Sequence, residues 1–153
     1  MLKLLSIADR EWFAETGEAI TGDRAYAMKY GPVLSTIHDL VKGNGSRAGD
    51  WDDHIHTDGY AVELVADPGR GELSKGIVQK LHEIAERYRE LDDWELSEET
   101  HTFSEWEKNF HGEAAPIPWQ DMLIAQGKPE MTAVVEREES ARETFDQVFG
   151  PKP

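Results

Sequence analysis

Apolar side chains recur along this chain mainly at helical spacing. Leu2, Leu5, Ile7, Ala8 and Trp12 fall near one stripe and predict a helix over residues 2–15, stopped at Gly17. Gly31-Pro32 predicts the opening of a second helix, since a proline at the first helical position gives up only an N–H that would lack a partner there. Val33, Ile37, Leu40 and Val41 form its stripe, and Gly43-Asn44-Gly45 its end. Residues 44–59 read as a loop. The period then shifts to two: residues 60–65 alternate as a strand, residues 66–71 make a turn, and Glu72-Leu73-Ser74 returns as a short strand. Ser74 suits a helix N-cap ahead of Ile77, Val78, Leu81, Ile84, Ala85, Tyr88 and Leu91. Asp92 or Asp93 caps a shorter helix over residues 94–100, and residues 104–117 read as irregular. Pro118 opens a helix over residues 119–126 that Gly127 stops. Pro129 opens the last one, with Met131, Val134, Val135, Ala141, Phe145, Val148 and Phe149 as its stripe and Gly150-Pro151 as its end. The expected fold is mainly α: a single compact helical domain over residues 1–153 with one small β-hairpin.

Charge changes this picture more than composition does. The 153 residues carry 31 acidic and 16 basic side chains, a formal net charge of −15. The excess is local: residues 81–110 hold ten acids against three bases, and residues 130–149 six against two. Such runs form either solvated helix faces or an acidic docking surface. A phosphate backbone needs a basic face, so nucleic acid is not an expected ligand, and a basic protein partner is favoured. No apolar run is long enough to span a membrane. The first residues turn charged at Asp9-Arg10 without a small-residue cleavage site, so no signal peptide is expected. With no cysteine, disulfides, thiolate metal sites and a cysteine nucleophile are excluded, which fits a cytoplasmic location.

Candidate chemistry is sparse. His54 and His56, with Asp52, Asp53 and either His38 or His101, are the only residues resembling a metal set, and they lack a ligand spacing. Ser97, Thr100 and His101 lie close in sequence but without a nucleophile elbow or an oxyanion loop. Neither an enzyme, a metal nor a cofactor is expected. The tryptophans read first as core residues and then as interface anchors.

Three ordered stretches resemble a known family. The first is Leu2-Lys3-Leu4-Leu5-Ser6-Ile7-Ala8-Asp9-Arg10, followed by Thr16-Gly17-Glu18-Ala19-Ile20-Thr21-Gly22-Asp23-Arg24. The second is Met28-Lys29-Tyr30-Gly31-Pro32-Val33-Leu34-Ser35. The third is Trp94-Glu95-Leu96-Ser97, then Thr100-His101 and Trp106. Together they resemble the Panacea domain family, the SocA-like and GepA-like antitoxins, over residues 2 to about 125. The resemblance implies a small cytoplasmic, phage-associated protein of a toxin–antitoxin system. Such a protein neutralises a cognate toxin by direct contact, in some members as an adaptor to a protease. It also implies a family helix ahead of residue 2, so that here either the helix is absent, leaving an apolar groove open to self-association or a tight partner, or something else covers its site.

On this reading Gly31, Pro32, Val33, Thr100 and His101 are scaffold, with His101 placed to cap helix carbonyls. The partner contact is expected from Tyr30, Trp94 and Trp106 as anchors and from Glu98, Glu99, Glu105 and Glu107 as an acidic surface facing a basic toxin. The alternative is a phage-encoded acidic inhibitor whose carboxylates mimic nucleic-acid phosphates and block a basic groove.

Overall fold

The structure, a computed structural model, describes residues 1–44, 48–59 and 61–150. Gly45, Tyr60, Pro151 and the Phe149 side chain, all used in the sequence reading, lie outside the described residues. Helix α1 (Leu2–Thr16) leads into β1 (Ala25–Met28), β2 (Gly31–Leu34), α2 (Ser35–Val41), α3 (Ala48–Asp52), β3 (Ile55–Asp58) and β4 (Ala61–Leu64). Then follow α4 (Lys75–Arg87), α5 (Asp93–His101), α6 (Ser104–Asn109), β5 (Ala115–Pro116), α7 (Trp119–Ala125) and α8 (Met131–Phe149). Mainly α is right, but the described residues form two small antiparallel sheets rather than one hairpin, β2-β1-β5 and β3-β4. No helix among the described residues is long and apolar enough to cross a membrane.

Local signals place most helices. Gly17, at φ 81°, closes α1 with its N–H on the Phe13 carbonyl. The Ser74 hydroxyl caps α4 by accepting from the Ile77 N–H. Asp92 and Glu95 form a reciprocal capping box at the start of α5. The strands depart from expectation. Pro32 does not open a helix; it pairs with Ala27 in β2, an edge strand, where a missing N–H is tolerated. Helix α2 begins only at Ser35, and the Asp23 carboxylate reaches across to its first turn, accepting from the Thr36 and Ile37 N–H groups at 2.8 and 3.1 Å. Strand β4 pairs with the upstream residues Ile55–Asp58, read as loop, and not with residues 72–74. The stretch 104–117 contains α6 and β5.

Helix α1 is the axis of the fold. Ile7 and Ala8 pack with Ile84 of α4 and Leu96 of α5, while Phe13 and Ala14 pack with Leu123 of α7 and Val135 of α8. Trp12 is half-buried against the start of α4, where its ring lies 2.9 Å from the place a Cβ on Gly76 would take. A third cluster, Ala25, Ala27 and Ile117, lies under Trp106, Phe110 and Met122. The stripe expected for α8 is only partly used: Val135 is buried, but Val134 and Val148 are exposed.

Candidate protein-interaction surface

The turn between β1 and β2 is Lys29-Tyr30, and α1, α5 and α6 hold its backbone. Trp106 Nε1 of α6 donates to the Met28 carbonyl at 2.9 Å. Ser97 Oγ of α5 donates to the Tyr30 carbonyl at 2.7 Å, and Lys3 Nζ of α1 to the Pro32 carbonyl at 3.2 Å. Gly31, at φ 100°, follows the turn in the left-handed region, and a Cβ there would sit 2.2 Å from Thr100 Oγ1. Thr100 is fully buried and turns its hydroxyl back to the Ser97 carbonyl. The three stretches that carry the family resemblance thus meet at one hairpin tip.

Burial lowers the Lys3 ammonium to about 8, and no carboxylate among the described residues pairs with it. Asp9 in the same helix is buried, which raises its carboxyl above the ordinary range against the Thr21 N–H it accepts at 2.9 Å. For Asp23 burial acts the same way, but donors from Thr36, Ile37, Arg24 and Ser35 outweigh it and hold the carboxyl low.

With its backbone fixed, the tip turns side chains outward. Tyr30 is 57% exposed and Trp94, one helical turn before Ser97 on the same face of α5, is 63% exposed. Glu98, Glu99 and Glu107 are also exposed. Two expected contact residues are not available. Glu105 is buried, with a side chain 2% exposed in a bidentate ion pair with Arg10, whose guanidinium also stacks 4.1 Å from the Phe103 ring centre. Trp106 is packed between His101 and Phe110, at ring distances of 4.1 and 5.1 Å, and its N–H is committed to Met28. Both are internal fasteners. His101 stacks on Trp106, with Nδ1 3.6 Å from Glu98, instead of capping the carbonyls of α5. Val33 and Pro32 are buried as scaffold.

The acidic runs also divide. Glu83 and Glu86 pair with Lys80, Arg87 or Arg89, so the first part of the 81–110 run is neutralised internally. Asp93 and Glu95 sit in the first turn of α5, where negative charge is favourable. Glu99 and Glu107 have no ion pair among the described residues, and Glu98 has only His101. The hydroxyls of Ser97 and Thr100 are occupied by backbone carbonyls. Among the described residues no group of three His, Asp or Glu is placed to hold a metal ion, and His54 Nδ1 faces the Ala66 carbonyl at 3.2 Å.

Sequence reasoning missed Asp9, Arg10 and Asp23. Their signal is present only inside the first resembling stretch, as charged residues beside the apolar stripe of α1 and beside a turn. In comparison with known proteins, the family described as antitoxin SocA-like, Panacea domain, matches residues 1–107, from α1 into α6. Neither a curated protein nor a solved structure matches the chain.

Proposed function

The chain belongs to the antitoxin SocA-like, Panacea domain family, and from this premise we propose that it neutralises a cognate toxin by direct, non-catalytic protein contact. The observation that supports the mode is the tip with its neighbour: Tyr30 is a largely exposed aromatic on a turn whose backbone is held by α1, α5 and α6, and Trp94 is a largely exposed aromatic on the capped first turn of α5. Exposed aromatics on a rigid support are the residue type that dominates binding hot spots. Glu98, Glu99 and Glu107 supply exposed negative charge on α5 and α6, which favours a toxin with a basic contact face.

The test is co-expression of a toxin encoded beside this chain, with growth rescue and pull-down read together. Wild type rescues growth and retains the toxin. Tyr30→Ala with Trp94→Ala loses both while melting within a few degrees of wild type. Replacing Glu98, Glu99 and Glu107 with Gln slows association, and added salt has the same effect, because exposed charge is screened over about 8 Å at physiological ionic strength. Toxin half-life in the same cultures separates masking from delivery to a protease. Rescue without a complex overturns the contact mechanism.

A further inference from the structure

A cavity of about 550 Å³ opens on the side of α1 that faces α7 and α8, a size suited to a small ligand or a single large side chain. Its walls include Phe13, Ile117, Trp119 and Val135, which suit an aliphatic stem. Its acids are Asp9, Glu18, Asp23, Glu105, Glu138 and Glu139; its bases are Arg10, Arg24 and Arg142. The Arg10–Glu105 pair cancels itself, leaving five acids against two arginines. Neither Arg24 nor Arg142 forms an ion pair among the described residues.

Asp9 is the decisive group. It is 6% exposed and lines this cavity. Its oxygens accept from the Thr21 N–H and hydroxyl at 2.9 and 3.3 Å, the Ile20 N–H also faces the carboxyl, and no Lys, Arg or His among the described residues lies within 4 Å of it. A carboxylate has about four lone-pair sites, so acceptor capacity remains. A buried carboxylate without a countercharge is costly and gains from a cation brought to it. A divalent metal is disfavoured, since no three acids among the described residues are placed to hold one. An anion would meet net negative charge.

We propose that this cavity binds an alkyl ammonium or guanidinium group, with the charge at Asp9 and the stem along Phe13 and Trp119. A lysine or arginine of a protein partner and a free polyamine share this chemistry. The inference stands apart from the antitoxin reading and is tested without a toxin.

The experiment titrates the full chain, followed by amide NMR shifts, with blocked arginine amide, with putrescine, and with blocked citrulline amide as the neutral isostere. Saturable shifts at residues around Asp9, Phe13 and Val135 are expected for a cation, at least about tenfold tighter than for citrulline, the size of one charged hydrogen bond. Tighter binding of blocked arginine assigns the site to a protein side chain, and tighter binding of putrescine to a free polyamine; either supports the site. Asp9→Asn should abolish saturation. Should that variant fold poorly, Glu138→Gln with Glu139→Gln, both exposed at the rim, should weaken binding severalfold with an unchanged melt. Equal response to citrulline, no saturation, or affinity unchanged in the rim variant overturns the proposal.

Discussion

The molecule contains two antiparallel hairpins of equal strand length with very different surroundings. In β1–β2 every residue of β2 is buried, and three side chains from α1, α5 and α6 bond the carbonyls at and around the turn. In β3–β4 most residues are exposed, and Leu64 at its end is 58% exposed. The ladder hydrogen bonds are of one kind in both. Long-range fastening, together with the pairing of β1 to β5, therefore makes the first hairpin the better held of the two.

That contrast can be broken or sharpened by substitution. The largest effect is expected from Glu105→Ala, which leaves Arg10 without its partner and loosens the helix that carries Trp106. Removing one member of a buried ion pair costs about 3–5 kcal/mol, and a denaturant melt within error of wild type would refute a fastening role. Next is Gly31→Ala against Gly59→Ala, both at positive φ. The first strains the backbone and collides with Thr100, for a combined cost of about 2–4 kcal/mol. The second meets nothing within 4 Å and carries only the backbone cost, about 1 kcal/mol. Equal losses would mean that Thr100 yields freely.

Lys3 gives a pH-dependent version of the same test. Folding lowers its ammonium from 10.5 to about 8, so between those values the unfolded chain holds the extra proton. Its contribution therefore destabilises below pH 8 and is relieved as pH rises to 10.5. The stability difference between wild type and Lys3→Met should shift in favour of wild type across that window, read by urea melts at successive pH values. A pH-independent difference would show that Lys3 is solvated. The smallest effect is expected in the second hairpin: Leu64→Ser should stay within about 0.5 kcal/mol, as surface changes do.

Features legible in the sequence are those whose causes are local. The glycine stop of α1, the Ser74 cap and the Asp92–Glu95 box lie within a few residues of the element they define. The first hairpin escaped because Ala25-Tyr26-Ala27-Met28 has no β-branched residue and its partner strand contains a proline, while its fasteners come from 67 and 78 residues away. The family motifs pointed to the right segments, but not to which way each side chain turns. Glu105 and Glu107 are alike in sequence, yet two positions on a short helix face nearly opposite sides, and only one meets Arg10. The cavity at Asp9 was invisible for the same reason, since its walls come from four separate parts of the chain.

The scaffold grips Tyr30 by its main-chain carbonyl and leaves the side chain to solvent. A codon change at this position keeps the anchor intact whichever amino acid it encodes, apart from strain specific to that residue. Trp94 shares this freedom, because its N–H is held by the Asp92 cap while its ring projects outward. The atoms that hold the fold and the atoms offered to the proposed partner thus differ within the same residues. On the proposed contact, a lineage or a combinatorial library can vary these two side chains in single steps, with no intermediate that has lost its fold.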